Sequence, residues 1–426
     1  MNLFGKIKRF FNLGLNDEKA WNTSFWNLRG SQSLSGETVT EETALTYSAV
    51  WNAITLISGT VGSLPLHLMQ KQGQKKRVAD DIPLYRVLHD QPNPYMTAMA
   101  FREVVTAHLL TWGNGYAEKV TNAYGEVTAL WPIPPNRVLN IQMMENDLYY
   151  EIRLEKESKW FPREKILHIP GLGFDGFIGY SPIAMARKSI GLGMAMETFG
   201  SRYFGNGTHP GVIVSHPSAL SATAHENLKK SLTESYSGLG NSHRLLLLEE
   251  AMKIEKVGFA PEESQFLESR GFQIPEIARW FNLPPHKLKD LTKSSFNNIE
   301  QEQISFVTDS ILPWLVRFEQ NYNAQLLTPG QQKREKLYFK HVVEGLLRGD
   351  AKSRGEFYKA MFSVGMTINQ ILEKEDMDPI VHEFADVPWV PMNMIPLTMV
   401  REYIEKNDKP TSSESKASQK QITEGK

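Results

Sequence analysis

The sequence predicts an α+β chain. Strand-like runs joined by turn sequences are interleaved with helical spacings in the first 180 residues, and beyond Ser181 the pattern shifts to long stretches of helical spacing. With 426 residues, 41% of them hydrophobic, the chain is long enough for two or three packed domains of ordinary size.

The first helix spans residues 47–62, where Val50, Ile54, Ile57 and Val61 recur at spacings of four, three and four. Residues 64–69 then read as a strand. The stop signal Gln91-Pro92-Asn93-Pro94 precedes a helix over 97–110. Residues 115–120 and 126–130 flank the turn sequence Asn122-Ala123-Tyr124-Gly125 and predict a hairpin. Further strands are expected at 149–154 and 165–169. This first part reads as a mixed α+β domain.

Gly171-Leu172-Gly173-Phe174-Asp175-Gly176 has the glycine spacing of a dinucleotide-binding turn, but Phe177-Ile178-Gly179-Tyr180 separates it from the next helix start. A true fingerprint sets the helix N-terminus against the pyrophosphate, with an acidic residue ending the next strand. Here Glu197 falls inside the helix, so the stretch reads as a bend that redirects the chain.

Residues 181–204 are helical in pattern, with Ser181 as cap and Pro182 at the first position. Small residues (Ala184, Ala186, Gly191, Gly193, Ala195) alternate with Ile183, Ile190, Met194 and Phe199. Two readings follow, an ordinary core helix or one that packs closely against copies of itself in a ring. Residues 212–214 read as a short strand, and Thr223 with Glu226 as a capping box. Residues 244–248 read as a buried strand with 252–257 as its hairpin partner, so about fifty residues make an insertion between two helices.

Phe266, Arg270, Ile274, Ile277 and Phe281 fall at helical spacing, with Gly271 and Pro275 expected to bend or divide the element. Residues 284–294 are polar and turn-forming. The 33 residues from 295 to 327 form the next helix, about 48 Å long if straight, and Pro313 inside its apolar face predicts a kink.

Composition excludes several function classes. Lys and Arg number 47 against 48 Asp and Glu, a net charge of -1, so no global field draws the chain onto nucleic acid. Neutrality suits a surface along which DNA slides, because each neutralised phosphate adds salt-sensitive grip. The absence of cysteine removes disulfides, zinc-thiolate sites and thiol nucleophiles. No phosphate-cradling Gly-x-x-x-x-Gly-Lys-Ser/Thr loop occurs, the 11 histidines are scattered, and Asp80-Asp81 and Glu249-Glu250 read as solvated turns. The most apolar stretch, 49–66, has the spacing of a half-buried helix, so no membrane span is expected. No metal or cofactor is expected either.

Several motifs recur together in a fixed order: Pro92-Asn93-Pro94, Gly113-Asn114-Gly115-Tyr116-Ala117, His168-Ile169-Pro170-Gly171, Gly179-Tyr180-Ser181-Pro182, Gln265-Phe266-Leu267-Glu268, Ile277 through Pro285, and Leu346-Leu347-Arg348-Gly349-Asp350. In this order the chain resembles the portal proteins of long-tailed bacteriophages over residues 47–379. The resemblance implies a phage portal fold with an α/β wing, a helical stem, a small α/β clip, a long kinked helix and a helical crown. Carried onto this chain, residues 1–39 are a partly disordered N-terminal arm and 40–180 the wing, joined by strands from 328–343. Residues 181–206 and 261–281 are stem helices, 207–260 the clip, 282–294 the tunnel loop and 295–327 the long helix. Residues 344–396 are the crown, where Thr367 and Gln370 form a capping box and Gly365 a helix stop, and 397–426 are a disordered tail.

The same resemblance implies a non-enzymatic ring of twelve subunits at one capsid vertex, through which double-stranded DNA is packaged and ejected. Lys287, Lys289, Lys293, Ser294, Ser295 and Asn297 would face that DNA without reading its sequence. Arg244, Glu249, Glu250 and Lys253 would form a clip surface for the large terminase ATPase and a head-tail adaptor. Major capsid and scaffold proteins are further implied partners, with the virion and, during assembly, the host cytoplasm as locations and no stable membrane association. Two other classes remain open from the residues alone, an uncharacterised hydrolase and a membrane-peripheral scaffold resting on the basic amphipathic start, Lys6, Lys8 and Arg9 among Leu3, Phe4, Ile7, Phe10 and Phe11.

Overall fold

Helix α1 (Ser48–Ser63) lays Val50, Ile54, Ile57 and Val61 on one face, none more than 4% exposed. Those residues share one buried core with Phe101, Val105 and Leu109 of α3 (Ala98–Trp112), which packs against α1. Close approach is possible because Gly62 has no side chain: a Cβ there would lie 3.1 Å from the Met99 carbonyl oxygen. Arg102 of α3 is buried and donates to Gly62 O at 2.8 Å and to Leu88 O at 2.9 Å. Its positive charge thereby sits against the C-terminal carbonyls of both α1 and α2 (Pro83–His89), where helix dipoles favour a cation. Thr97 caps α3 by accepting from Ala100 N, and Gly113 ends it at φ +79.

The structure is a computed structural model and describes residues 33, 35–73, 75–144, 147–174, 176–205, 212–215, 223, 226, 253–256, 263–290, 299–343, 351–375 and 377–389. The chain forms two compact units, Met1–Leu347 and Arg348–Lys426. The first is α+β, with small antiparallel sheets. One sheet has the order β11-β1-β2, from Leu337–His341, Leu66–Gln72 and Lys75–Val78. A second has the order β4-β3-β8, from Val127–Ile133, Asn114–Thr121 and Ile166–Pro170. The third, β5-β6-β7 (Val138–Met144, Asp147–Arg153, Ser158–Pro162), closes a smaller core of Tyr116, Val138, Ile141, Tyr150, Ile152 and Ile166. The expected hairpin is β3–β4, with Gly125 in its turn at φ +79.

Several expectations are corrected. The helix over 181–204 is two elements, α4 (Pro182–Met185) and α5 (Arg187–Gly205), meeting at Ala186. Ser181 Oγ accepts from Ala184 N and donates to Thr111 O at 2.7 Å, so α4 is tied to the end of α3 while α5 leaves separately. The small residues of α5 meet this chain's own segments: a Cβ at Gly191 would lie 2.5 Å from Ser33 Oγ, and one at Gly193 2.7 Å from the Tyr47 ring. At these two glycines the close packing is intramolecular. Helix α6 (Glu263–Trp280) runs undivided through Gly271 and Pro275. In the insertion, β10 (Lys253–Lys256) pairs with β9 (Val212–Ser215), whereas residues 244–248 lie outside the described set.

The long helix is helical without a break over Ile299–Leu326, but it is not α throughout. Helix α7 (Ile299–Ser305) passes into a π-helical turn at Phe306–Ile311, and α8 (Leu312–Leu326) follows with Pro313 in its first turn. A short α9 (Pro329–Lys333), opened by the Thr328–Gln331 capping box, leads into β11. In the second unit, α10 (Ala351–Ser363) stops before Gly365 at φ +106. Thr367 and Gln370 then cap α11 (Ile368–Lys374) reciprocally. Among the described residues no helix is long and apolar enough to cross a membrane.

Candidate functional site: a π-interrupted helix and the root of its loop

Proline at position 313 removes the N–H that the Asp309 carbonyl would accept in a regular helix, and its ring pushes that carbonyl aside. Asn282 Nδ2 supplies the missing donor, 2.8 Å from Asp309 O, and Ser310 Oγ donates in return to Asn282 O. The π-helical turn is thus completed from outside the helix, and the side chain that completes it stands at the root of the loop.

Asn282 reaches this position because α6 ends in a Schellman motif. Leu283 N donates to Ala278 O at 2.8 Å and Asn282 N to Arg279 O at 3.2 Å. The left-handed residue is Asn282 itself, at φ +52, a conformation asparagine tolerates better than most side chains. Pro284 and Pro285 then stop the helix, and Pro285–Leu288 makes a single 3-10 turn that buries Leu288.

The first half of the expected tunnel loop folds back on α7. Lys287 Nζ donates to Gln303 Oε1 and lies 4.8 Å from the centroid of the Phe306 ring. Burial, then the neighbouring Lys289 charge, lower the Lys287 pKa. His286 Nδ1 lies 2.5 Å from Glu302 Oε2. Lys289 is exposed, at φ +68, where the turn opens outward. Of the loop residues singled out in the sequence, Lys287 therefore holds the root and Lys289 is displayed. Lys293, Ser294, Ser295 and Asn297 lie outside the described residues, as do Arg244, Glu249 and Glu250. Lys253 opens β10, paired with Ser215.

Helix α8 is anchored on two sheets. Gln325 pairs with the backbone of His168 in β8, accepting from its N–H at 3.0 Å and donating to its carbonyl at 2.6 Å. Two turns earlier on that side, Arg317 donates to Pro170 O and Gly171 O at 2.6 and 2.9 Å. Toward β11, Asn323 Oδ1 accepts from Phe339 N at 2.8 Å, and Glu319 accepts from His341 N at 2.8 Å and Lys340 Nζ at 3.0 Å. Burial works to raise the Glu319 pKa, but hydrogen bonds from the His341 side chain and backbone and from Lys340 outweigh it and hold the carboxyl below its ordinary range.

Sequence reasoning singled out none of Asn282, Glu319 or Gln325. A signal existed for Asn282: a proline inside a helix orphans the carbonyl four residues earlier, so a donor had to come from elsewhere. Asn282→Ala is expected to cost about 2 kcal/mol, from the orphaned carbonyl and the left-handed backbone. Pro313→Ala restores the internal donor, so in that background the Asn282→Ala cost should shrink to about 1 kcal/mol. Urea unfolding of the four proteins reads this coupling, and equal costs in both backgrounds would refute the role given to Asn282.

No group of three or more metal-ligating side chains is gathered among the described residues. The arrangement is a helix braced by two sheets and interrupted by a π-helical turn before Pro313, with its loop root stitched to that turn. The family model described as "Phage portal protein" matches residues 48–376. The chain is 32% identical to the portal protein of Enterobacteria phage HK97 over 371 residues, 86% of each chain. It is also 32% identical to the probable portal protein of Streptomyces phage phiC31 over 397 residues, 89% of this chain and 85% of that one. Among solved structures, a chain in the neck of a native gene transfer agent particle computed with C12 symmetry shares the fold. Its TM-score is 0.52 at 18% identity, covering 79% of this chain and 93% of that one.

Proposed function

This chain belongs to the phage portal protein family, and from that premise we propose that twelve copies close into a ring around duplex DNA during packaging and ejection. The observation that carries the proposal is the bracing of α8 combined with the stitched root of its loop. A ring element that resists the load of a moving polymer must transmit it into a stiff body, and Gln325, Arg317, Asn323 and Glu319 tie the helix to the backbone of β8 and β11. The C12 symmetry of the similarly folded neck chain supports head-to-tail closure, in which every subunit has the same neighbour on either side.

In this reading residues 40–180, with strands from 328–343, form the wing, 181–206 and 261–281 the stem, 207–260 the clip and 344–396 the crown. Residues 282–294 form the loop that faces the axis. Lys289 and Lys293, with Ser294, Ser295 and Asn297, touch phosphates weakly and without sequence preference, and Lys287 sets the loop's exit angle. A clip surface including Arg244, Glu249, Glu250 and Lys253 receives the large terminase and then a head-tail adaptor. The chain supplies a passage and no catalysis of its own. It assembles in the host cytoplasm with capsid and scaffold proteins and remains in the virion.

Mass measurement with negative-stain imaging of the purified chain tests the ring, and symmetric annuli with an open axis are the expected result. Particles that stay monomeric or dimeric at every concentration would overturn it. Lys289→Ala with Lys293→Ala should change packaging yield while leaving the annuli intact. Unaltered titre and genome length would remove those lysines from the DNA path.

A further inference from the structure

Lysines stand opposite one another in the β11-β1-β2 sheet. Lys71 on the central strand is directly paired with Lys76 of β2, and its N–H donates to the Lys336 carbonyl at 3.2 Å, one step beyond the Gln70–Leu337 pair. Lys75, across from Gln72, adds a fourth cation, and Lys333 and Arg334 close α9 just before Lys336. All six are exposed. Like charges directly opposed on an antiparallel ladder repel, so this placement works against the sheet unless an anion answers it. Among the described residues that flank these lysines along the chain, the acids are fewer than the six cations. Asp81 is engaged by Arg77 at 2.8 Å, which leaves Asp80 and Glu335 on the exposed surface. The strand separation of about 4.8 Å puts Lys76, Lys71 and Lys336 within a span of about 10 Å. The overall charge of -1 averages this patch away, but at its surface the field is local, because screening acts over about 8 Å.

We propose that this end of the β11-β1-β2 sheet is a second contact for the phosphate backbone of duplex DNA, separate from the loop of residues 282–294. Duplex DNA presents about one negative charge per 1.7 Å of its axis, the densest anion such a row can meet, and binding releases its condensed counterions. The neighbouring Gln70 and Gln72 side chains are occupied with Glu335 O and with each other, and no aromatic ring is interleaved with the lysines, so the contact grips the backbone without reading bases. The proposal takes from the portal reading only the source of the DNA.

Fluorescence anisotropy with a labelled duplex of random sequence, at about 50 to 200 mM salt, tests it on the full-length chain. Lys71→Gln/Lys76→Gln/Lys336→Gln should weaken binding at least about tenfold at low salt and reduce the logarithmic salt slope by about 2 to 3. Lys76→Glu alone should weaken binding severalfold, which keeps the test valid if the triple variant fails to fold. Affinity and slope unchanged in both variants would overturn the proposal. So would equal competition by polyglutamate, pointing to an acidic protein, or by phosphatidylserine vesicles, pointing to a membrane. Annuli that form normally while the variants bind DNA like the parent would sink this patch and leave the portal reading intact. Lost DNA binding in a chain that forms no annuli would do the reverse.

Discussion

Gly179→Ala is expected to prevent the first unit from folding, leaving little soluble protein and no cooperative melt. Three glycines from distant segments meet at one crossing: Gly113 after α3, Gly171 after β8 and Gly179 before α4. A Cβ on Gly179 would lie 2.0 Å from Gly113 O and 2.5 Å from Gly171 N, and both of those atoms are backbone. No side-chain rotation relieves such a clash. The crossing is further locked by Asn114, which accepts from Gly179 N and donates to Gly179 O, each at 2.8 Å. Separating the strands would break that pair and the 2.7 Å bond from Gly171 N to Gly113 O. A loss of about 4 kcal/mol or more is expected, a large part of the roughly 5 to 15 kcal/mol that holds a typical domain together. Gly176→Ala is the internal control. It has open space around it, and its φ of +76 adds a left-handed strain that is absent at Gly179, so only that backbone penalty of about 1 to 2 kcal/mol applies. Thermal melts and soluble yield of the two variants should separate sharply, and a Gly179→Ala protein melting within a few degrees of the parent would refute the crossing's importance. The crossing also gives the first glycine of the Gly-x-Gly-x-x-Gly spacing a structural reason: Gly171 allows the close backbone approach to Gly113.

Stability is expected to fall as pH drops below about 6.5, and His168 is a principal cause. The ring is enclosed between the second and third sheets, stacked on Tyr116 at 4.5 Å. Its Nε2 faces Asn114 Oδ1 at 3.1 Å and its Nδ1 faces the Tyr150 hydroxyl at 3.2 Å. An amide oxygen only accepts, so Nε2 carries the proton and Nδ1 accepts from Tyr150. A second proton, on Nδ1, would force the Tyr150 hydroxyl to turn from donor to acceptor, and burial followed by the Arg163 charge lowers the pKa to about 3. The folded value lies below the unfolded one of about 6.5, so the neutral ring's contribution is complete above that pH. As pH falls, the unfolded chain takes up a proton that the folded chain refuses. The loss is about 1.4 kcal/mol per pH unit until the folded ring titrates near pH 3. Glu319 adds a second, more acidic loss: its pKa is lowered by folding, so its contribution is present above the ordinary carboxylate range and disappears as pH falls through the folded value. Urea midpoints should stay level from pH 7.5 to about 6.5 and drop steadily from there to about pH 5. His168→Gln should be less stable at pH 7.5 yet show a shallower pH slope. An identical slope in parent and variant would exclude His168 as the cause.

Much of this architecture was legible because it is encoded locally. The apolar spacing of Val50, Ile54, Ile57 and Val61 marks a buried helix face wherever that helix packs. Caps at Thr97, Ser181 and Thr367–Gln370 act within three or four residues of themselves, as does the turn at Gly125. Motif order along the chain was enough to place it in its family, although no single motif was. By itself, then, the sequence determined where most elements begin and end, the α+β class and the presence of a disturbed helix at Pro313.

Only the tertiary structure decided how those elements complete one another. The π-helical turn owes its shape to a donor 27 residues away, Asn282, and α8 is braced by a Gln325–His168 pairing across 157 residues. The space beside Gly191 and Gly193 of α5 is filled by Ser33 and Tyr47, and the lysine row depends on the register between three strands. Periodicity reports which face of an element is apolar, but it carries no information about which distant residue will satisfy a particular carbonyl. That choice is made when the chain closes on itself and every buried polar group must find its partner.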